Sequence, residues 1–194
     1  MTERIRLRYC LAGAGLWLVL STGIVHAQPL PAQGSVEVAF SPQEDPEALI
    51  ISAITEAKKT VQVQVYLFTS QKIARALVDV RKKGVLVQVL LDKKMNGRKA
   101  GKAIRLMLEG GVALAFSSEE YSAAHNKVII IDGKGPGCTV VTGSYNFTWS
   151  ARHVNAENVL ILRNNCTLAK RYEQNWLLHR KAAQTIDSLA VFGR

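Results

Sequence analysis

The sequence predicts an α/β domain in which a mixed, largely parallel β-sheet is sandwiched between helices. Short apolar runs alternate with period two, at Val36, Val38 and Phe40 and again at Val61, Val63, Val65 and Leu67, the spacing that lines one face of a strand. Ile73, Leu77 and Val80 then recur at helical spacing up to Gly84, a residue suited to ending a helix. A strand, a helix and a further strand joined by so short a connection imply a right-handed parallel crossover. The nearly continuous apolar run Val85-Leu86-Val87 fits a strand covered on both faces.

The remaining elements follow in order. Residues 28–34 are rich in Pro and Gln and read as a flexible lead-in, so that one domain occupies 35–194. After the strand at 36–40, Asp45-Pro46 supplies an N-cap and a proline at the first helical position, opening a helix to about residue 59. The strand at 61–67, the helix ending at Gly84 and the strand at 85–91 come next, then a helix over 99–109 closed by Gly110-Gly111 and a strand over 112–116. Strands over 128–132 and 139–142 flank the turn Gly133-Lys134-Gly135-Pro136-Gly137. A last strand at 158–162 leads into a C-terminal helix. With 194 residues, 48% hydrophobic and 21% charged, the chain has the size and balance of one globular domain, not of a disordered, collagen-like or multispanning protein.

The first stretch is set apart from that domain. Arg4, Arg6 and Arg8 precede an apolar run over 11–25 that ends in Val25-His26-Ala27, the layout of a signal peptide over 1–27 cleaved after Ala27. An uncleaved anchor is the alternative, but the run is shorter than the ~20 residues that span a bilayer comfortably. We therefore expect an exported protein, periplasmic or secreted, with no stable membrane association after cleavage. Loss of Arg4, Arg6, Arg8 and Glu3 takes the formal charge from +10 to +8. Such an excess attracts polyanions, without choosing among DNA, RNA and anionic lipid. Cys10 leaves with the signal segment, and an even pair, Cys138 and Cys166, remains. In an oxidising compartment that pair suggests a disulfide, across strands that would be antiparallel neighbours. The spacing offers no zinc site.

Chemistry concentrates in His125-Asn126-Lys127-Val128-Ile129-Ile130-Ile131-Asp132, where polar groups open a very apolar strand. Period two puts His125 and Lys127 on one face and Asp132 on the other. Thr142-Gly143-Ser144-Tyr145-Asn146 repeats the device: Ser144 and Asn146 share a face if the strand continues, and Gly143 permits close backbone approach. Lys127 brings a permanent charge, Asn146 an amide and Ser144 a hydroxyl, a set suited to holding a phosphate while a bond exchanges. Glu157, at the start of the next strand, could accept a hydrogen bond from one ring nitrogen of His125 and leave the other free to attack. Tyr145, Phe147 and Trp149 either pack in the core or stack on the bases of a single strand.

The pattern HxKxxxxD at His125, Lys127 and Asp132, followed by GSxN at Gly143, Ser144 and Asn146, resembles the signature of the phospholipase D superfamily. Within it the runs HNKVIIID, TGSYNFT and NAEN look like those of small exported bacterial endonucleases, and Phe40-Ser41-Pro42 and Tyr66-Leu67-Phe68-Thr69 fit the same pattern. The resemblance implies that His125 attacks phosphorus to form a phosphohistidine. Lys127 and Asn146 would grip the non-bridging oxygens, Glu157 would orient the imidazole, and Ser144 would support the network. Asp132, by strand parity, has a structural or supporting role. It implies no metal or other cofactor, the charge stabilisation coming from side chains. It further implies a homodimer: the superfamily mechanism uses one histidine to attack and another to protonate the leaving oxygen, and this chain has one such motif. His153 and His179 lack the accompanying elements.

The expected function is hydrolysis of phosphodiester bonds in DNA, with RNA as a second substrate, without strong sequence specificity. A lipid phosphodiesterase is the alternative enzyme, since the same phosphate chemistry serves a phospholipid. A catalytically silent nucleic-acid-binding protein is the alternative from another class.

Overall fold

A computed structural model describes residues 27–98 and 101–192. Apart from Ala27, the expected signal segment with Cys10 lies outside the described residues, as does the start of the helix expected over 99–109. The elements run β1 (Ser35–Ser41), α1 (Pro46–Thr55), β2 (Thr60–Val65), α2 (Gln71–Lys82), β3 (Leu86–Leu91), α3 (Lys93–Asn96) and α4 (Lys102–Glu109). They continue as β4 (Ala113–Phe116), β5 (Lys127–Ile131), β6 (Thr139–Gly143), α5 (Trp149–His153), β7 (Glu157–Arg163), α6 (Cys166–Lys181) and β8 (Gln184–Ile186).

Eight strands form one sheet in the order β1-β7-β6-β5-β2-β3-β4-β8. It is mixed, but the expectation that it is largely parallel is corrected: only β2/β3 and β3/β4 pair in parallel, and the other neighbours are antiparallel. The physical reason lies in the connections. Helices α2 and α4 are the crossovers that return the chain in the same direction, whereas β6 reverses on β5 through a turn and β7 reverses on β6 after the short helix α5. β1 does not join the β2 crossover at all and closes the far edge against β7. Period two says that a segment is a strand, not which strand lies beside it.

Helices cover both faces as expected. Val61, Val63 and Val65 of β2 join the main core with Ile50 and Ile54 of α1, Ile73 and Leu77 of α2, and Ile104 and Met107 of α4. On the opposite face, Trp176 of α6 packs with Leu90, Val128 and Ile130, and its indole N–H donates to Val63 O at 2.9 Å. Of the run Val85-Leu86-Val87, Val85 and Val87 join the main core while Leu86 is exposed, and it is further along β3 that Val89 and Leu91 serve one layer and Leu90 the other. Side-chain caps hold the helix starts: Asp45 accepts from Ala48 N and Ser70 from Ile73 N. α1 stops at Thr55, short of the expected residue 59, because the main-chain N–H groups of Lys58, Lys59 and Thr60 turn to the carboxylate of Asp132.

Cys138 and Cys166 form a disulfide. Antiparallel pairing of β6 with β7 sets Thr139 opposite Arg163, and Asn164 N donates to Cys138 O at 2.8 Å, so the residues flanking the two strands meet. The bridge closes a sequence separation of 28 residues, which in the chain-entropy account stabilises the fold by about 3 kcal/mol. Unreduced, processed protein is expected to show no titratable thiol. Replacing both cysteines by alanine is expected to lower the melting temperature by roughly 10 °C; thiol titration and calorimetry check the two outcomes.

Candidate active site

The sheet order brings the sequence-derived candidates other than Asp132 to one edge. β5 runs antiparallel to β2 with Lys127 opposite Val65, so the residues just before β5 lie beside those just after β2. There the rings of His125 and Tyr66 stand 4.4 Å apart, and Lys127 Nζ lies 5.2 Å from the Tyr66 ring centre, a cation–π distance. Lys127 Nζ donates to His125 O at 2.6 Å and stands 2.9 Å from Nδ1 of the same residue. Lys127 is buried while His125 is exposed. The lysine therefore approaches the imidazole from beneath and leaves it open to solvent.

β6 and β7 bring the other polar groups. The backbones meet closely at Gly143, where a Cβ would stand 2.2 Å from Asn158 O; any side chain there would drive the strands apart. Ser144 N donates to Asn158 O at 3.1 Å, and Ser144 Oγ accepts from Asn158 N at 3.1 Å. The strand does not continue as required for Ser144 and Asn146 to share a face by parity. β6 ends at Gly143, and Ser144 to Asn146 form an irregular turn before the bridge between Phe68 and Phe147. Asn146 is half-buried, and its Oδ1 meets no donor among the described residues.

Glu157 begins β7 at the same edge, but it is not bonded to His125 within the single chain. Its Oε1 accepts from Asn155 Nδ2 at 3.0 Å, and its charge acts on Lys127. Burial pushes the Lys127 ammonium below the ordinary lysine range, and the Glu157 carboxylate opposes that shift. Asp132 lies at the other end of β5, away from His125. Its carboxylate accepts from Lys58 N, Lys59 N and Thr60 N at 2.8, 2.7 and 2.9 Å, with its own backbone at φ +49°.

Several residues at the edge carried no pattern that singled them out for the site. Tyr66, noted only as part of a family-like run, packs on both His125 and Lys127. Asp92, after β3, accepts from Ala124 N at 2.8 Å and caps α3 through Met95 N at 2.9 Å, fixing the segment that leads to His125. Gln64 Oε1 accepts from Asn126 Nδ2 at 3.2 Å. Among the described residues no group of three or more His, Cys, Asp or Glu is placed to hold a metal ion.

The arrangement can offer an exposed imidazole nitrogen to an electrophile while a buried cation, a hydroxyl and an amide surround an anion. Residues 50–184 match the family described as "Cardiolipin synthase, PLD-like domain". The chain belongs to the phospholipase D superfamily. As a member it is a phosphodiesterase, and its similarities run to several branches of the superfamily. It is 36% identical over 154 residues to a phospholipase D of Rickettsia felis, covering 78% of this chain and 72% of that one. To the mitochondrial cardiolipin hydrolase of Xenopus tropicalis it is 28% identical over 127 residues, 66% of this chain and 57% of that one. Among solved structures it resembles Nuc from Salmonella typhimurium, a phospholipase D family member. The TM-score is 0.72 at 33% identity, over 79% of this chain and 99% of that one.

Three outcomes follow from the geometry of this phospholipase D-type site. Asp132→Ala strands three main-chain donors and is expected to cost about 3 kcal/mol in urea unfolding. Lys127, titrated by NMR of its side-chain methylene next to the ammonium, is expected to lose its proton below the ordinary lysine range. Glu157→Gln removes the opposing charge and is expected to move that titration lower still.

Proposed function

We propose that this phosphodiesterase is an exported endonuclease that hydrolyses DNA, and RNA as a second substrate, through a phosphohistidine. The observation that supports it most is the exposed imidazole of His125 with the Lys127 ammonium 2.9 Å from Nδ1, in a chain that resembles Nuc over nearly all of that protein's length. Lys127 Nζ lies 2.9 Å from Nδ1 and 3.3 Å from Nε2 of His125, and the ring nitrogen that carries the free lone pair is the attacking atom. The N–P bond forms as the P–O bond to the leaving strand breaks. Water then attacks phosphorus, the P–N bond breaks, and the imidazole returns to its starting state. Lys127, Asn146 and Ser144 hold the non-bridging oxygens, and Glu157 orients the site. Asp132 holds the strand rather than a proton. Charge stabilisation by these side chains makes divalent metal unnecessary.

The leaving oxygen needs a proton, and one chain offers one such histidine. A homodimer with the active site shared between its chains places the second His125 across the phosphate as general acid. The same two-fold approach would give Glu157 its histidine partner. Nucleic acid is favoured over lipid by the basic segment after β3. There Lys94 Nζ donates to Ser122 O at 3.0 Å, next to the loop that carries His125. The names of the Rickettsia and Xenopus relatives support the lipid reading. No described helix is long and apolar enough to cross a membrane, and the disulfide supports export.

Purified processed protein, in chelator, is expected to cut plasmid, single-stranded DNA and RNA and to leave phosphatidylcholine intact. His125→Ala is expected to lose turnover by more than a thousand-fold while still binding DNA. Dependence on added magnesium, or lipid cleavage alone, would overturn the reading. Active protein that sediments as a monomer, or heterodimers with His125→Ala chains that keep full activity per unaltered subunit, would overturn the shared site.

A further inference from the structure

Of the three aromatics around the GSxN turn, two are absorbed by the core. Tyr145 is 1% exposed and Phe147 2%, whereas Trp149 is 66% exposed, an unusual position for the largest apolar side chain. The backbone that carries it is also firmly held. Thr69 N and Ser70 N both donate to Phe147 O at 2.8 Å, Thr148 N to Asn146 O at 2.8 Å, and Ser41 Oγ to Ala151 O at 2.6 Å. Thr148 caps the short helix α5 through Ala151 N. One turn on, His153 sets its ring 4.9 Å from the indole, tilted by 36°, and so braces the indole rather than extending its plane. This pair forms one side of an open cleft of about 250 Å³, which Thr69, Gln71 and Lys72 also line. The buried Glu47 carboxylate beneath is met by Ser70 Oγ at 2.6 Å, Lys72 at 3.6 Å and Arg152 at 3.7 Å, so the cleft carries no uncompensated negative charge.

We infer that the Trp149–His153 pair is a base-stacking platform that takes a nucleobase next to the phosphate held at Asn146 and Lys127, and that single-stranded nucleic acid is the preferred polymer. The inference rests on the proposed reading of the site as one for nucleic acid, and it names the form. Only two residues lie between Asn146 and Trp149, so a strand with its phosphate at the amide has a neighbouring base within reach of the indole. A duplex keeps its base faces stacked on one another and cannot offer one without unpairing. A ring fixed before binding loses little freedom when a base covers it. Lys72, 67% exposed, stands where the next phosphate of the strand can pass.

The protein supplies its own probe. Of the three tryptophans, Trp17 lies in the expected signal segment, and Trp176 is 2% exposed with its N–H bonded to Val63 O. In processed protein, fluorescence quenching on binding therefore reports Trp149. The experiment titrates the His125→Ala chain, which leaves the strand intact, with an oligothymidylate of about ten nucleotides. It also uses a strand of the same length made of abasic units, and a duplex. Oligothymidylate is expected to quench the indole, and Trp149→Ala is expected to bind it about ten-fold more weakly. Trp149→Phe is expected to restore most of that loss. The abasic strand is expected to bind both chains alike, and the duplex to quench little. Equal affinity of the Trp149→Ala and unaltered chains for oligothymidylate would overturn the platform. So would a changed sedimentation coefficient for Trp149→Ala, which would make the face a contact between copies. A spectral blue shift with phosphatidylglycerol vesicles and no response to the strand would do the same. Base-dependent quenching in a protein that cleaves no nucleic acid would leave the platform standing and remove the endonuclease reading.

Discussion

Three main-chain N–H groups held by one carboxylate set the register on which the site depends. Asp132 accepts from Lys58, Lys59 and Thr60 and so ties the end of β5 to the beginning of β2. Five strand residues away, roughly 17 Å at the usual rise, the same pairing delivers Lys127 opposite Val65 and His125 beside Tyr66. A slip of one residue would turn Lys127 to the opposite face of the sheet. The aspartate of the HxKxxxxD run thus acts on the histidine through strand geometry, without contact. Its spacing in the sequence is the length of a five-residue strand and its flanks.

Two further strands converge on that fixed point. β6 ends where β7 begins, and Gly143 lets the two backbones come within a distance that any Cβ would prevent. Ser144 is then locked to Asn158 by main-chain and side-chain bonds, and the following turn is anchored through Phe147 to Thr69 and Ser70. The polar groups come from three strand ends and an irregular turn, braced largely by backbone bonds, with Lys127 and His125 in direct contact. Such bracing lets a site stay ordered while its own hydrogen-bonding capacity is left for a ligand.

Much of this was legible in the sequence, and the limits have physical causes. Alternating valines marked β2, and His125, Lys127, Ser144 and Asn146 stood out because polar residues interrupt very apolar runs. Neighbour identity was not legible: antiparallel pairing of β5 with β2 depends on chain reversal beyond any local window, which is why the sheet was expected to be largely parallel. The end of α1 was set by Asp132, more than seventy residues away. α5 has five residues, too few to show a helical period. Tyr66 looked like one more apolar residue after a strand, and only pairing across the sheet gives it two functional neighbours. The expected bond between Glu157 and His125 is a statement about contact, and the register of β7 does not make that contact within one chain.

The electrostatics of the edge favour an anionic ligand. Lys127 is buried at some cost to its charged form, and among the described residues no carboxylate lies within ion-pairing distance of its ammonium, Glu157 acting only at longer range. A buried cation without a close counter-charge is normally destabilising. Burial also pushes the Tyr145 phenol well above its ordinary range, so it stays neutral, and its hydroxyl, like Asn146 Oδ1, has no hydrogen-bond partner among the described residues. A phosphodiester drawn to this edge would supply the missing negative charge to Lys127 at the place where the imidazole of His125 is exposed. The stabilisation that the folded chain forgoes at Lys127 is then recovered on binding, in the geometry that brings phosphorus to the ring nitrogen. Strain of this kind, relieved by one class of ligand, is what distinguishes a binding edge from an ordinary buried lysine.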